Sequence, residues 1–273
     1  MTTPNSHVSR TVAIKVGASS LAVQLDRVAL DSPSEPVKAL FTDAGMSVWT
    51  HDLAKTMHVF LTNAPLEKFK VKEPCVLLIN PREFADLLRL KFGDSQVSIT
   101  TKANEVITLK DKENNRASYY PADEDDCAIV PDRWEMPQSA SKKGWRVIPQ
   151  HGHELCSMRV HIQREYLTRG VVDMEVAKAP YCEFHFSPSG GGTVTSGHWG
   201  SKTNQSHSPI QCRVEVSDPT YTHGVVALTN TLTQVLNRSI GDDFILHKHK
   251  DTPFVIIEVG DMVCVVAETT KGV

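Results

Sequence analysis

The chain has 273 residues, 40% of them hydrophobic, and a formal net charge of −3 from 29 basic and 32 acidic side chains. That is enough for one large domain or two of about 120 residues with a core of ordinary size. The charge balance lacks the basic excess of a conventional nucleic-acid binder, so any surface for nucleic acid must be a minority of the whole. No stretch approaches the roughly 20 apolar residues of a membrane span, and no membrane partner is expected. The N-terminal Met1 to Arg10 is polar, without the apolar region of a secretory signal. The six cysteines (Cys75, Cys127, Cys156, Cys182, Cys212, Cys264) are scattered with no close pair. That pattern suits reduced thiols in an intracellular protein.

In chain order, Arg10 to Val16 alternates as a strand, and Ala18 to Leu30 reads as a helix through Leu21, Leu25 and Val28, with Ser19 or Ser20 as cap. Val37 to Thr42 and Met46 to Thr50 form a hairpin about Asp43-Ala44-Gly45. Met57 to Thr62, Phe69 to Lys72 and Cys75 to Asn80 follow as strands. Pro81 to Gly93 is a helix on several counts: Asn80 at the cap, Pro81 at the first position, Phe84, Leu87 and Leu88 on one face, Gly93 as stop. Gln96 to Thr100, Glu105 to Lys110 and Arg116 to Tyr120 are strands.

Pro121 to Cys156 breaks this rhythm with an acidic run, Asp123 to Asp126, and several prolines. It reads as a connector with one strand at Trp145 to Ile148. The order then repeats. Ser157 to Ile162 is a strand, Arg164 to Lys178 a helix, Tyr181 to Ser187 and Thr193 to Trp199 a hairpin across Gly190 to Gly192, and Gln211 to Val216 a strand. Val225 to Leu236 reads as a helix, and Phe244 to Lys248, Phe254 to Val259 and Met262 to Ala267 close the chain as strands. The helices start near residues 19, 82, 164 and 224, spaced by 63 and 60. The pattern is an internal duplication. It predicts an α+β protein with an N-terminal domain over 1–120, a connector over 121–156 and a C-terminal domain over 157–273.

Local strings carry a resemblance. Phe41-Thr-Asp-Ala-Gly-Met46 is followed by Asp52 and His58-Val-Phe-Leu61, then by Glu67 to Pro74 and Val76 to Asn80. Near the end stand Pro253 to Glu258 and Met262 to Ala267. In this order and spacing, over nearly the whole chain, the sequence resembles the proliferating cell nuclear antigen family of DNA sliding clamps. The resemblance implies two similar clamp domains per chain, a homotrimeric ring with helices lining a channel and antiparallel sheets outside, and no catalytic residue, metal or cofactor. It implies double-stranded DNA, DNA polymerase, other clamp-binding-motif proteins of replication and repair, and a clamp loader as partners. It also implies an intracellular location with DNA: the nucleus, an archaeal cytoplasm or a virus's host cell.

Helices facing DNA need cations on their polar side and no base contacts. The candidates are Arg27 on the first helix, Arg82, Arg89 and Lys91 on the second, Arg164, Arg169 and Lys178 on the third, and Arg238 on the fourth. The family's client-peptide pocket maps to Ile129, Val130 and Pro131 of the connector, Met57 and Val59, and Pro253, Val265 and Ala267. The family's Leu-Ala-Pro is here Val266-Ala267-Glu268, and the connector is long. Subunit edges map near Asn114 to Tyr120 and His198 to His207.

Three other readings stand beside this one. A subunit of a heterotrimeric checkpoint clamp keeps the fold and changes the partner, and so does a viral decoy with few clients. A metal-dependent hydrolase would draw on His151, His153 and Cys156 with His185 or His198. Against it, the chain has no His-Glu-x-x-His and no paired Cys-x-x-Cys.

Overall fold

A computed structural model describes residues 11–30, 35–102, 106–127, 139–140, 145–148, 154–187, 191–196, 207–217 and 224–268. The chain divides into two compact units, one of Met1–Thr50 with Leu61–Ile129, the other of His51–Phe60 with Val130–Val273. The first contains β1 (Thr11–Gly17), α1 (Ala18–Asp26), β2 (Val37–Thr42) and most of β3 (Gly45–His51). The strand β4 (Met57–Ala64) begins in the second unit and ends in the first. There follow β5 (Lys70–Val71), β6 (Cys75–Ile79), α2 (Pro81–Phe92), β7 (Gln96–Lys102), β8 (Ile107–Lys110) and β9 (Arg116–Tyr119).

The connector holds a short 3-10 turn at Glu124–Asp126 and a small sheet of β10 (Ser139–Ala140), β11 (Trp145–Ile148) and β12 (Glu154–Leu155). The second unit continues with β13 (Met158–Gln163), α3 (Arg164–Val176), β14 (Tyr181–Phe186), β15 (Gly192–Ser196), β16 (His207–Ile210) and β17 (Cys212–Val216). It closes with β18 (Gly224–Leu228), α4 (Thr229–Arg238), β19 (Asp243–Lys248), β20 (Phe254–Val259) and β21 (Met262–Ala267).

The duplication is a matter of topology. In the first unit the strands run β5-β1-β7-β8-β9 and β4-β3-β2-β6; in the second they run β17-β13-β19-β20-β21 and β16-β15-β14-β18. Each strand of the second set is the counterpart of one twelve places earlier. The pairings of β1, β2, β8, β13, β14 and β20 with their neighbours are antiparallel. The architecture is α+β, two topologically similar units of antiparallel sheet with two helices each.

Each helix buries one face. In α2, Phe84, Ala85 and Leu88 are fully buried, while Arg82, Asp86, Arg89 and Leu90 are exposed. Burying each large apolar side chain contributes about 1.5–3 kcal/mol. Asn80 Oδ1 accepts the Glu83 N–H at 3.2 Å, Pro81 opens the helix and Gly93 ends it at φ 52°, as its sequence predicts. Phe84 meets Tyr119 of β9 edge-on at 4.9 Å, and the Tyr119 hydroxyl accepts the backbone N–H of Asn80 at 2.9 Å.

Four expectations change. The connector, expected to hold one strand at Trp145 to Ile148, has three short ones among the described residues. The first helix ends at Asp26 rather than near Leu30, and Gly17 is its N-cap, with Ser20 Oγ instead accepting the Glu67 N–H. The predicted helix Val225 to Leu236 is a strand and a helix in succession. Val225 and Ala227 are buried at a period of two and pair with β14, because β-branched residues beside a partner strand favour the ladder, and the helix begins only at Thr229. The stretch before Gln211, to which the sequence assigns no element, contains β16, an edge strand that tolerates Pro209. Among the described residues, no helix is long and apolar enough to cross a membrane.

Candidate nucleic-acid interface

The cations chosen from the helices fall into three groups. Arg82, Lys91, Arg169 and Lys178 are exposed, and among the described residues none of them is in an ion pair. Arg82 has a 3.5 Å contact with the Ala29 carbonyl. Lys178 sits just past α3 at φ 52°, which projects it from the helix end. Arg169 borders a shallow groove with Thr168, Val172 and Asp242. Arg238 is half-buried at the last position of α4, where a cation complements the helix dipole.

Arg89 is exposed but matched, since it pairs with Asp26 at the end of α1 and with Asp86 at 3.3 Å. Its charge is largely answered within the protein.

Two arginines do not belong to such a surface. Arg27, the C-cap of α1, is 3% exposed and donates to Gln24 Oε1 one turn back at 2.6 Å. Arg164 has its whole guanidinium fork committed. It donates to the carbonyls of Gly241, Leu236 and Ser239 and to Ser239 Oγ, at 2.8–3.0 Å, and lies over the Phe244 ring. It ties the start of α3 to the segment after α4.

The exposed helix faces also carry Glu83, Asp86, Glu165 and Glu175, so their charge is mixed. Cations also stand on strands, where the helix period does not show them. The alternation around Lys15, between buried Ile14 and Val16, is the signal that points to them.

At the predicted peptide site, Ile129, Val130 and Pro131 lie outside the described residues. Met57, Val59 and Val265 are each 1% exposed, so they are core, while Pro253 is exposed and Ala267 half-buried. The start of β4 lies beside β21, with the Ala267 N–H donating to the Thr56 carbonyl at 2.8 Å. The Glu268 N–H closes onto the Pro253 carbonyl at 2.8 Å.

The second unit also holds a buried ionic cluster. Arg146 on β11 donates to Glu258 on β20, and Nε2 of fully buried His247 is 2.6 Å from the same carboxylate. Burial pushes Glu258 up, but the hydrogen bonds from His247 and Arg146 outweigh it and hold its carboxyl at about 2. Burial lowers His247.

Of the residues a metal hydrolase would need, His151, His153 and His198 lie outside the described residues. Cys156 is fully buried and its thiol is pushed up to about 12 by burial, which disfavours a thiolate ligand. His185 is exposed, 3.4 Å from Glu183. Among the described residues, no group of three or more His, Cys, Asp or Glu side chains is disposed to hold a metal ion.

No family model matches the sequence, and no curated protein matches it. Solved structures do match. The proliferating cellular nuclear antigen of Entamoeba histolytica superposes with a TM-score of 0.66 at 11% identity, over 95% of this chain and 99% of that one. The chain has the fold of proliferating cell nuclear antigen. A. fulgidus PCNA, in its complex with the C-terminal region of FEN-1, gives 0.65 at 10% identity, over 96% and 99%. The antigen of Thermococcus kodakaraensis gives 0.63 at 14% identity, over 95% and 100%. At such identities the likeness rests on backbone topology.

Proposed function

We propose that the chain is a subunit of a sliding clamp, a non-enzymatic ring around double-stranded DNA that holds a DNA polymerase and other replication and repair proteins on it. One observation carries this reading. Within the chain, β21 has the start of β4 beside it; β9 and β16, their counterparts in the duplication, have no such neighbour among the described residues. A second copy with its β16 along β9 would repeat the β21–β4 junction. Head-to-tail pairing of this kind closes into a ring when the rotation allows it, and closure removes the open edges. The reading takes the ring as a homotrimer with domains over 1–120 and 157–273 and a connector over 121–156.

In this reading the helices face DNA. Arg82, Lys91, Arg169, Lys178 and Arg238 are its phosphate contacts, while Arg27, Arg164 and Arg89, which is held by Asp26 and Asp86, are structural. A clamp loader would open the ring. The FEN-1 segment in the A. fulgidus complex supports a client-peptide site in this fold. Here it would be built from Ile129, Val130 and Pro131 with Pro253 and Ala267 over a floor of Met57, Val59 and Val265. The protein would act inside the cell, with DNA.

The test is the native mass by light scattering over a concentration series, followed by a polymerase processivity assay. A mass near three times 30.2 kDa and processivity lost in Arg82→Glu/Arg169→Glu, with folding intact, support the reading. Stimulation that survives both changes at physiological salt removes the helix-face assignment. One observation favours a heteromeric clamp subunit as a second reading. Pro209 lies in β16 and has no N–H to give a ladder on either side, so a partner edge must be matched to that gap. A persistent monomer would shift weight to that reading.

A further inference from the structure

The sheet β5-β1-β7-β8-β9 has one buried and one solvent face. Ile14, Val97, Ile99 and Leu109 are fully buried, whereas Lys15, Lys70 and Arg116 between them are exposed and Lys110 is half-buried. In the strand register, Lys70 stands opposite Lys15, Lys15 opposite Ser98, Ser98 opposite Lys110 and Lys110 opposite Arg116. A single line across the five strands thus reads Lys, Lys, Ser, Lys, Arg. At about 4.8 Å per strand it spans roughly 19 Å. Among the described residues none of these four cations is in an ion pair.

Like charges directly opposite one another destabilise a sheet, and this row has two such pairs, Lys70 with Lys15 and Lys110 with Arg116. Lysines on edge strands are a common guard against aggregation, but Lys15 and Lys110 are on interior strands. The helix faces of the same unit are nearly neutral, since Arg89 is answered by Asp26 and Asp86. On α2, Arg82 and Lys91 stand among Glu83 and Asp86, whereas the four cations of the sheet row have no acidic side chain in their line.

We propose that this row is a second contact surface for nucleic acid, binding the phosphate backbone of a duplex. Phosphate attraction needs only aligned cations. Thr100, Thr108 and Ser118 form the adjacent line in register; the Thr100 hydroxyl donates to the Thr108 carbonyl at 3.5 Å, and Thr108 and Ser118 add hydroxyl donors for phosphate oxygens. Neither line contains an aromatic ring; the exposed Tyr120 stands alone beyond Ser118 at the sheet's edge, and a stack of unpaired bases needs several rings in succession, which favours a duplex over a single strand. Neither contains a large apolar side chain to anchor a peptide, which selects phosphate over an acidic protein segment. The choice of nucleic acid as the anion rests on the sliding-clamp reading; the charged row itself does not.

The experiment is fluorescence anisotropy of a short labelled linear duplex with the full chain, titrated with salt. The arms are wild type, Lys15→Gln/Lys70→Gln/Lys110→Gln/Arg116→Gln, and Lys91→Gln/Arg169→Gln, each checked for folding by circular dichroism. The expected result is that the sheet variant lowers the slope of log K against log salt by about 3 to 4, since each phosphate contact contributes about 0.9, and that the helix variant lowers it by less. A slope changed only by the helix variant overturns the proposal and leaves the clamp reading standing. No duplex binding by wild type at low salt overturns the proposal, while the clamp reading stands or falls separately on the native mass and the processivity assay. Tighter wild-type binding to a labelled poly-glutamate peptide than to the duplex, lost in the sheet variant, overturns it in favour of an acidic protein partner. If the sheet variant proves misfolded, Lys15→Gln/Arg116→Gln is used in its place, with an expected slope change of about 2.

Discussion

Arg146 on β11 donates its Nε–H to the carboxylate of Glu258 on β20, with 10% and 21% of their side chains exposed. This ion pair fastens a connector strand to the second unit. Breaking an enclosed pair from one side leaves a charge without its partner, at a cost of about 3–5 kcal/mol. Glu258→Leu is therefore expected to destabilise the protein by about 3 kcal/mol, read from urea unfolding. Arg146→Met/Glu258→Leu should lose less than the sum of the two single changes; simple additivity would mean that the pair is not coupled.

His58 is 5% exposed, and burial, aided by the nearby His51, lowers its pKa from 6.5 to about 4. Its unfolded form takes up a proton first, so stability is fully present above pH 6.5 and is lost as pH falls through 4. His161 and His247 are lowered by burial too and act in the same direction. A His58→Gln variant should lose less stability than wild type across this window in urea unfolding. Equal losses would show that His58 does not titrate as stated.

Arg164 makes hydrogen bonds to three carbonyls and one hydroxyl from a single planar fork. Lysine cannot reproduce that geometry. Arg164→Lys is expected to cost about 2 kcal/mol of stability while leaving duplex affinity per folded molecule unchanged. Thermal unfolding and anisotropy check the two halves. An unchanged melting temperature with weaker duplex binding would return Arg164 to the phosphate contacts.

Gly45 opens β3 at φ 132°, and a Cβ there would lie 2.4 Å from the Ala64 carbonyl oxygen. Both the backbone conformation and the space exclude a side chain. Gly45→Ala is expected to cost more than about 2 kcal/mol, measured by urea unfolding, whereas Gly93→Ala meets nothing within 4 Å and should cost less.

Five of the six cysteines are buried and Cys212 is half-buried. Burial pushes the thiols of Cys75 and Cys182 up to about 11 and that of Cys156 to about 12. A thiol reagent at pH 8 should label Cys212 first and the others only after unfolding, as read by mass spectrometry of timed samples.

The sequence determined most of the elements, because their signals are local. Asn80, Pro81 and Gly93 bracket α2 by chemistry that acts within one turn, and alternation marks β1, β7 and β20 residue by residue. The duplication was legible for the same reason. The strand over Gly224–Leu228 was not, since an apolar run before a helix carries the same pattern whether or not a partner strand lies beside it. The fate of the cations was decided by tertiary structure alone. Arg27, Arg89 and Arg164 look alike in the sequence, yet one is buried, one is matched by acids from two helices and one is spent on backbone carbonyls. The line of Lys70, Lys15, Lys110 and Arg116 exists only through strand register, which brings together residues up to about a hundred positions apart.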